Sequence, residues 1–198
     1  MSTQTKAGET TTWRLDPAHT NVEFAARHMM ITTVKGRFAE VAGVIEMSED
    51  DPSRSSVEVE IDAASIDTRT EDRDAHLRSG DFLDVENHPE ITFRSRAIEG
   101  SPKEPGDEFR VVGDLTIRGT TREVVLDAVF AGRGGDPWGG QRVGFSADTK
   151  LDRRDFGLTW NQALEAGGVL VGNEVRIHLE VQAVLEEGGG DDGASAAT

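Results

Sequence analysis

The 198-residue chain contains no cysteine and no tyrosine. Without thiols it can form no disulfide, thiolate nucleophile, Cys-ligated zinc site or iron–sulfur site. Basic residues are scarce: 21 Lys and Arg stand against 37 Asp and Glu, a net charge of −16. A nucleic-acid binder needs cations to displace counterions from phosphate, so the charge balance argues against nucleic acid as a partner. The same excess argues against adhesion to anionic lipid and favours solubility. No run approaches the roughly 18 apolar residues that span a bilayer, so stable membrane insertion is not expected. The first residues, Met1 to Glu9, lack the apolar core of a secretory signal, and the expected location is cytoplasmic.

The two ends are polar. Residues 1–11 carry no apolar anchor before Trp13, and residues 187–198 are acidic and glycine-rich. Both read as flexible tails, because neither buries enough apolar surface to offset the entropy of ordering. Residues 12–186 remain as a single domain.

Within that domain the dominant pattern is period-two alternation, which marks half-buried strands. Val22, Phe24 and Ala26 alternate with Glu23 and Arg27; Val34, Gly36 and Phe38 with Lys35 and Arg37; and Val57, Val59 and Ile61 with acidic residues. The same pattern runs through Val41-x-Gly43-x-Ile45, Ile91-x-Phe93, Phe109 to Ile117, Val143 to Leu151, and Val175 to Val181. Arg118-Gly119-Thr120-Thr121 reads as a hairpin turn leading to a strand over Glu123–Phe130. The glycine-dense stretch from Gly132 to Gly140 reads as a break. Two stretches do not alternate. Thr68-Arg69-Thr70-Glu71 has capping-box spacing and predicts a helix over 69–79, with Asp74 and Arg78 placed as an i,i+4 pair. Asn161–Ala166 predicts one or two further helical turns.

About eight antiparallel strands and two short helices predict an all-β fold, a closed barrel or a sandwich. Small residues share a face with large apolar ones at Ala26, Gly36, Gly43, Gly113 and Ala147. Two readings are open for the glycines: an unfilled interior, or bends and bulges at barrel corners.

A set of motifs sharpens this. In order come Trp13-x-Leu15-Asp16-Pro17-x-His19-x-x-Val22-x-Phe24-x-x-x-His28, Val34-x-Gly36-x-Phe38, and Ser65-Ile66-Asp67-Thr68. Then follows Arg73-Asp74-x-His76-Leu77-Arg78-Ser79-x-Asp81-Phe82-x-Asp84-Val85. The set continues with Pro89-x-Ile91-Thr92-Phe93-x-Ser95, Gly113–Gly119, Arg154-Asp155-Phe156-Gly157-Leu158 and Val171-Gly172-x-Glu174-Val175-x-Ile177. Together they resemble the YceI-like proteins, also called polyisoprenoid-binding or lipocalin-like. The resemblance implies an extended eight-stranded antiparallel barrel of lipocalin type. It also implies that the chain binds, carries or sequesters a long apolar molecule, chiefly an isoprenoid quinone or polyprenyl chain, with fatty-chain ligands as another class. Many members are exported, and the N-terminus here departs from that pattern.

The expected ligand-contacting residues are Phe24, Gly36, Phe38, Phe93, Leu115, Ile117, Phe145, Ala147, Phe156 and Leu158. No catalytic residue and no metal ligand is expected. The five histidines lack ligand spacing, no Ser sits in a nucleophile elbow, and no glycine loop precedes a phosphate-binding Lys. Asp74 and His76 lie two apart on a helix and do not face each other. The clusters Arg73-Asp74-x-His76 and Arg154-Asp155 are expected to tie the helix and the 150s loop to the barrel rim, with contact to a ligand head group as the alternative. The expected partner is an apolar long-chain small molecule. No cofactor is required, and a homodimer is compatible with the sequence. Two rival readings are a small enzyme acting on a hydrophobic substrate and a ligand-free, stress-associated scaffold with a filled core.

Overall fold

A computed structural model describes residues 10–187. The elements in chain order are β1 (Thr10–Leu15), β2 (Asn21–His28), β3 (Thr32–Phe38), β4 (Val41–Ser48), β5 (Ser56–Asp62), β6 (Ile66–Asp67), α1 (Glu71–Arg78), β7 (Glu90–Glu99), β8 (Glu108–Ile117), β9 (Thr120–Gly135), β10 (Gln141–Asp152) and β11 (Val171–Leu185). Short 3₁₀ turns occupy Pro52–Arg54, Ala63–Ser65 and Arg153–Phe156.

Several of these segments are halves of one longer strand. β1 and β2 are separated only by the turn around Pro17, β3 and β4 by Ala39 and Glu40, and β5 and β6 by a 3₁₀ turn. β2 pairs with β3 and β1 with β4, so the two halves form one bent hairpin. β4 pairs with β5 and β3 with β6 in the same way. Eight continuous antiparallel strands result, each beside its sequence neighbour. The ring closes where β11 meets both β1 and β2, with Trp13 opposite Leu185 and Phe24 opposite Ile177. Closure removes the exposed strand edges that an open sheet would present. The fold is therefore the eight-stranded antiparallel barrel that the resemblance implies, the closed one of the two all-β forms that the alternation left open.

The chain reversals define two ends. One end holds the β2–β3 turn, α1 with the segment after it, the β8–β9 turn and the loop from Gly157 to Leu170. The other holds Glu49–Ser55, Gly100–Asp107 and the Asp136–Gly140 turn. We call these the covered end and the mouth, for reasons given below.

Some local expectations shift. β1 begins at Thr10, so two residues of the expected N-terminal tail are ladder-paired to β4. The remaining tail residues, 1–9 and 188–198, lie outside the described residues. Helix α1 spans Glu71–Arg78 within the expected 69–79, yet its N-cap Thr70 makes no side-chain capping bond. Asp74 does not pair with Arg78. It is buried and accepts from both the backbone N–H and the hydroxyl of Thr68. Arg78 instead donates to the carbonyls of Ala64 and Ile66. The expected helical turns at Asn161–Ala166 are absent: Asn161 spends its side chain on the backbone of Val171 and Gln162, and Ala163 bridges to Val169. The remaining helical content lies in the 3₁₀ turns. Gly132–Gly135 is also not a break, because these residues stay in the ladder opposite Gln141–Gly144, with a bulge at Gly144/Phe145. The reversal itself is confined to Asp136–Gly140, where the Asp136 carboxylate accepts from the N–H groups of Trp138 and Gly140.

Candidate functional site: the barrel lumen

Odd-numbered positions of β10 face inward, and Val143, Phe145, Ala147, Thr149 and Leu151 follow one another along one wall. The other strands contribute in the same register. They do not fill the space they enclose. A cavity of about 800 Å³ runs along the barrel axis, toward the upper part of the ~300–1,000 Å³ range of ligand sites. Its walls are overwhelmingly aliphatic and aromatic. Phe24, Phe38, Leu115, Ile117 and Phe145 are inward yet only half-buried, because they border open volume rather than one another. In a filled barrel these side chains would be fully buried.

The glycines show how the lumen stays open, and neither sequence reading captures it fully. Phe24 lies opposite Gly36 in the ladder, and its ring rests across the bare glycine; an added methyl would collide with that ring. Phe93 lies over Gly113 in the same manner, and Leu15 over Gly43. Each glycine lets a bulky neighbour fold flat along the wall instead of projecting across the axis. Gly36 thus acts beneath the wall and does not itself border the cavity. The other nine expected residues do. Phe24 and Phe38 stack tilted at 5.7 Å near β3, and Phe93, Leu115 and Ile117 follow on β7 and β8. Phe145 sits between Phe109 and Phe130 at 5.8 and 5.6 Å. Ala147 faces the axis with small Ala128 beside it, and Phe156 and Leu158 border the covered end.

At the covered end the bordering residues Phe82, Leu83, Phe156 and Arg153 are all buried. The β8–β9 turn reaches over to this segment, where Arg118 donates to the Phe82 carbonyl at 2.8 Å. His76 packs edge-on against Phe82 and Trp160 at 5.1 and 4.6 Å and bonds the Asp81 carboxylate at 2.9 Å. At the opposite end the wall terminates in exposed Glu49, Lys103, Pro105 and Arg133, and there the lumen meets solvent.

The polar ties differ in part from expectation. Arg73 and Asp74 do fasten α1 to the rim, through Thr68. The 150s loop is held by Arg153 rather than by Arg154 and Asp155. Arg153 is 6% exposed and donates to the carbonyls of Leu158, Trp160, Val171 and Gly172. No carboxylate pairs with it among the described residues, and burial pushes its guanidinium below its ordinary value. Arg154 is exposed and grips Asp152, whose carboxyl that contact lowers to about 2. The signal for Arg153 was present: it continues the inward positions of β10 one step past Leu151.

Outside the lumen, His19 bonds the Asp16 carboxylate at 2.9 Å and His178 the Asp148 carboxylate at 2.7 Å. Among the described residues no cluster of three or more His, Asp or Glu side chains is placed to hold a metal ion, and no helix is long and apolar enough to cross a membrane.

Comparisons with known proteins agree on the architecture. Residues 13–183 match the YceI-like domain. A UPF0312 protein of Serratia proteamaculans is 42% identical over 141 residues, covering 71% of each chain. The crystal structure of Burkholderia cenocepacia BcnA superimposes with a TM-score of 0.73 at 22% identity, covering 85% of this chain and 98% of the other. A polyisoprenoid binding domain from Saccharophagus degradans superimposes with a TM-score of 0.64 at 12% identity, covering 90% and 100%. At those identities the two structures speak for the fold alone.

Proposed function

We propose, from the premise that this chain belongs to the YceI-like family, that it carries or sequesters a long apolar chain inside the barrel and performs no chemistry on it. The observation that supports this is the lumen itself: a continuous apolar cavity of about 800 Å³, bordered by inward side chains such as Phe24, Phe38, Leu115, Ile117 and Phe145 that stay half-buried. An apolar chain in that space replaces the missing core.

The energetics favour length over head-group identity. Burying one CH₂ contributes ~0.8 kcal/mol, so a five-carbon isoprene unit contributes roughly 3–4 kcal/mol. Association costs about 4–15 kcal/mol in lost freedom. Four to six buried units, as an order of magnitude, give tight binding with no polar contact. Isoprenoid quinones and polyprenyl chains are the class this suits best, and tails of similar bulk are poorly distinguished. The polyisoprenoid binding named for the Saccharophagus domain is in keeping with that class.

Displacement of a fluorescent polyene fatty acid by prenyl alcohols of increasing length tests the reading. Affinity should climb with each added unit until the lumen is full and then level off. Affinity independent of length would contradict it.

A further inference from the structure

The turn between β2 and β3 is built from the wrong residues for its geometry. Met29 and Met30 both adopt left-handed conformations, with φ of 52° and 60°, and the N–H of Ile31 closes the turn on the His28 carbonyl at 3.1 Å. Consecutive positive φ values in a hairpin turn favour Asn-Gly or Gly-Gly, since a Cβ is strained there. Here two methionines carry that strain and are followed by isoleucine. Burial returns little for this strain: exposure rises along the tip from 40% at Met29 to 60% at Met30 and 73% at Ile31. Three consecutive exposed apolar residues held in a strained turn point to an external contact.

The charge around the tip narrows the partner. Residues 24–38 contain Arg27, Lys35 and Arg37 and no carboxylate, in a chain with 37 acidic residues. Arg27 is folded back onto the Met30 carbonyl, and Arg37 lies 3.5 Å from Asp67. Lys35 is exposed and makes no ion pair among the described residues. The adjoining loop Gly157–Leu170 adds a single exposed carboxylate, Glu165, and fields beyond about 8–10 Å are screened at physiological salt, so the cations of the flanking strands, Lys35 above all, set the charge at the tip. A narrow protruding tip, rich in adaptable methionine and flanked by cations, matches a soft anionic interface better than a preformed protein groove.

We propose that the Met29–Ile31 tip docks the covered end of the barrel onto anionic lipid bilayers, inserting its side chains at the headgroup–acyl boundary. The contact is peripheral and reversible, since only three side chains enter. It sets the loop Gly157–Leu170 against the bilayer, because the Met29 N–H bonds the Leu170 carbonyl. This surface is separate from the lumen and does not depend on what the lumen holds.

Sedimentation of the full chain with vesicles of equal parts phosphatidylcholine and phosphatidylglycerol tests the proposal. Wild type should bind these vesicles and bind less as salt rises. The Met30→Ser/Ile31→Ser variant should lose roughly tenfold in affinity. Lys35→Glu should weaken binding, while Trp138→Ser, at the 85%-exposed tryptophan of the opposite end, should not. Met29→Asn/Met30→Gly gives the turn its preferred residues, so it should melt higher than wild type and bind vesicles less. Equal sedimentation of wild type and the tip variants would overturn the proposal. So would a tip variant that only converts a dimer to a monomer, which would make a second copy the tip's partner.

Discussion

Replacing Ala147 with Phe distinguishes an open lumen from a packed core. Ala147 lies on the inward face of β10 between Phe145 and Thr149, with Ala128 and Leu179 as its ladder neighbours. In a packed interior an added ring forces off-rotamer side chains and costs ~1–3 kcal/mol. In the lumen the ring extends into part of the 800 Å³ cavity. Half of a ring's ~100 Å² removed from water at ~25 cal/mol/Å² gains about 1 kcal/mol. The unliganded protein should therefore hold its stability or melt roughly 2–4 °C higher. The ligand loses what the ring takes. Displacing about four methylenes forfeits about 3 kcal/mol, a roughly hundredfold weaker affinity. Calorimetric melting and polyene displacement on the same preparation read both quantities, with Lys150→Gln on the outer face as control. A variant that melts well below wild type yet binds ligand unchanged would place Ala147 in a filled core and refute the reasoning.

Other consequences follow from single groups. Arg153→Met leaves several carbonyls of the 157–172 segment without their donor. It should cost about 3 kcal/mol in urea unfolding and speed amide exchange in that segment. The Ser48 hydroxyl is buried with no hydrogen-bond partner among the described residues, so Ser48→Ala should stabilise the protein by about 1 kcal/mol in the same assay. Hydrogen bonds from Arg142 and then His19 hold the Asp16 carboxyl at about 2, below its ordinary 3.8. A lowered carboxylate contributes stability that is full above the ordinary value and lost as pH falls toward 2, so Asp16→Asn should flatten the acid limb of a stability profile. His178 has the opposite sign: Asp148 raises its pKa above 6.5, so its contribution is full below 6.5 and lost as pH rises through the raised value. Asp148→Asn should remove that loss.

The strands were legible because they alternate almost without interruption, and alternation fixes which side chains share a face; that they close into a barrel and not a sandwich came from the motifs' resemblance. Nine of the ten residues expected to contact ligand border the cavity; seven of them sit on alternating strands, while Phe156 and Leu158 come from a 3₁₀ turn and the loop after it, where only the motif pointed to them. Gly36 escaped because a missing side chain states only that room is needed, and the user of that room, the Phe24 ring, becomes visible only across the ladder. The helix at Asn161–Ala166 failed because its polar side chains had better local partners in Val171 and Gln162. The capping box at Thr68 failed similarly, since Asp74 captured the threonine from within the helix. Net charge also concealed the local chemistry of the β2–β3 tip, where acidic residues are absent over fifteen positions.

Native mass spectrometry of freshly purified protein, followed by organic extraction and identification of what is released, tests the central claim most directly. The account predicts an added mass that survives gentle desolvation and extracts as a long apolar chain. It also predicts that the stripped protein takes up an added polyprenyl alcohol or isoprenoid quinone stoichiometrically and returns it unmodified. A protein that purifies empty and stays empty when challenged with these chains would contradict it.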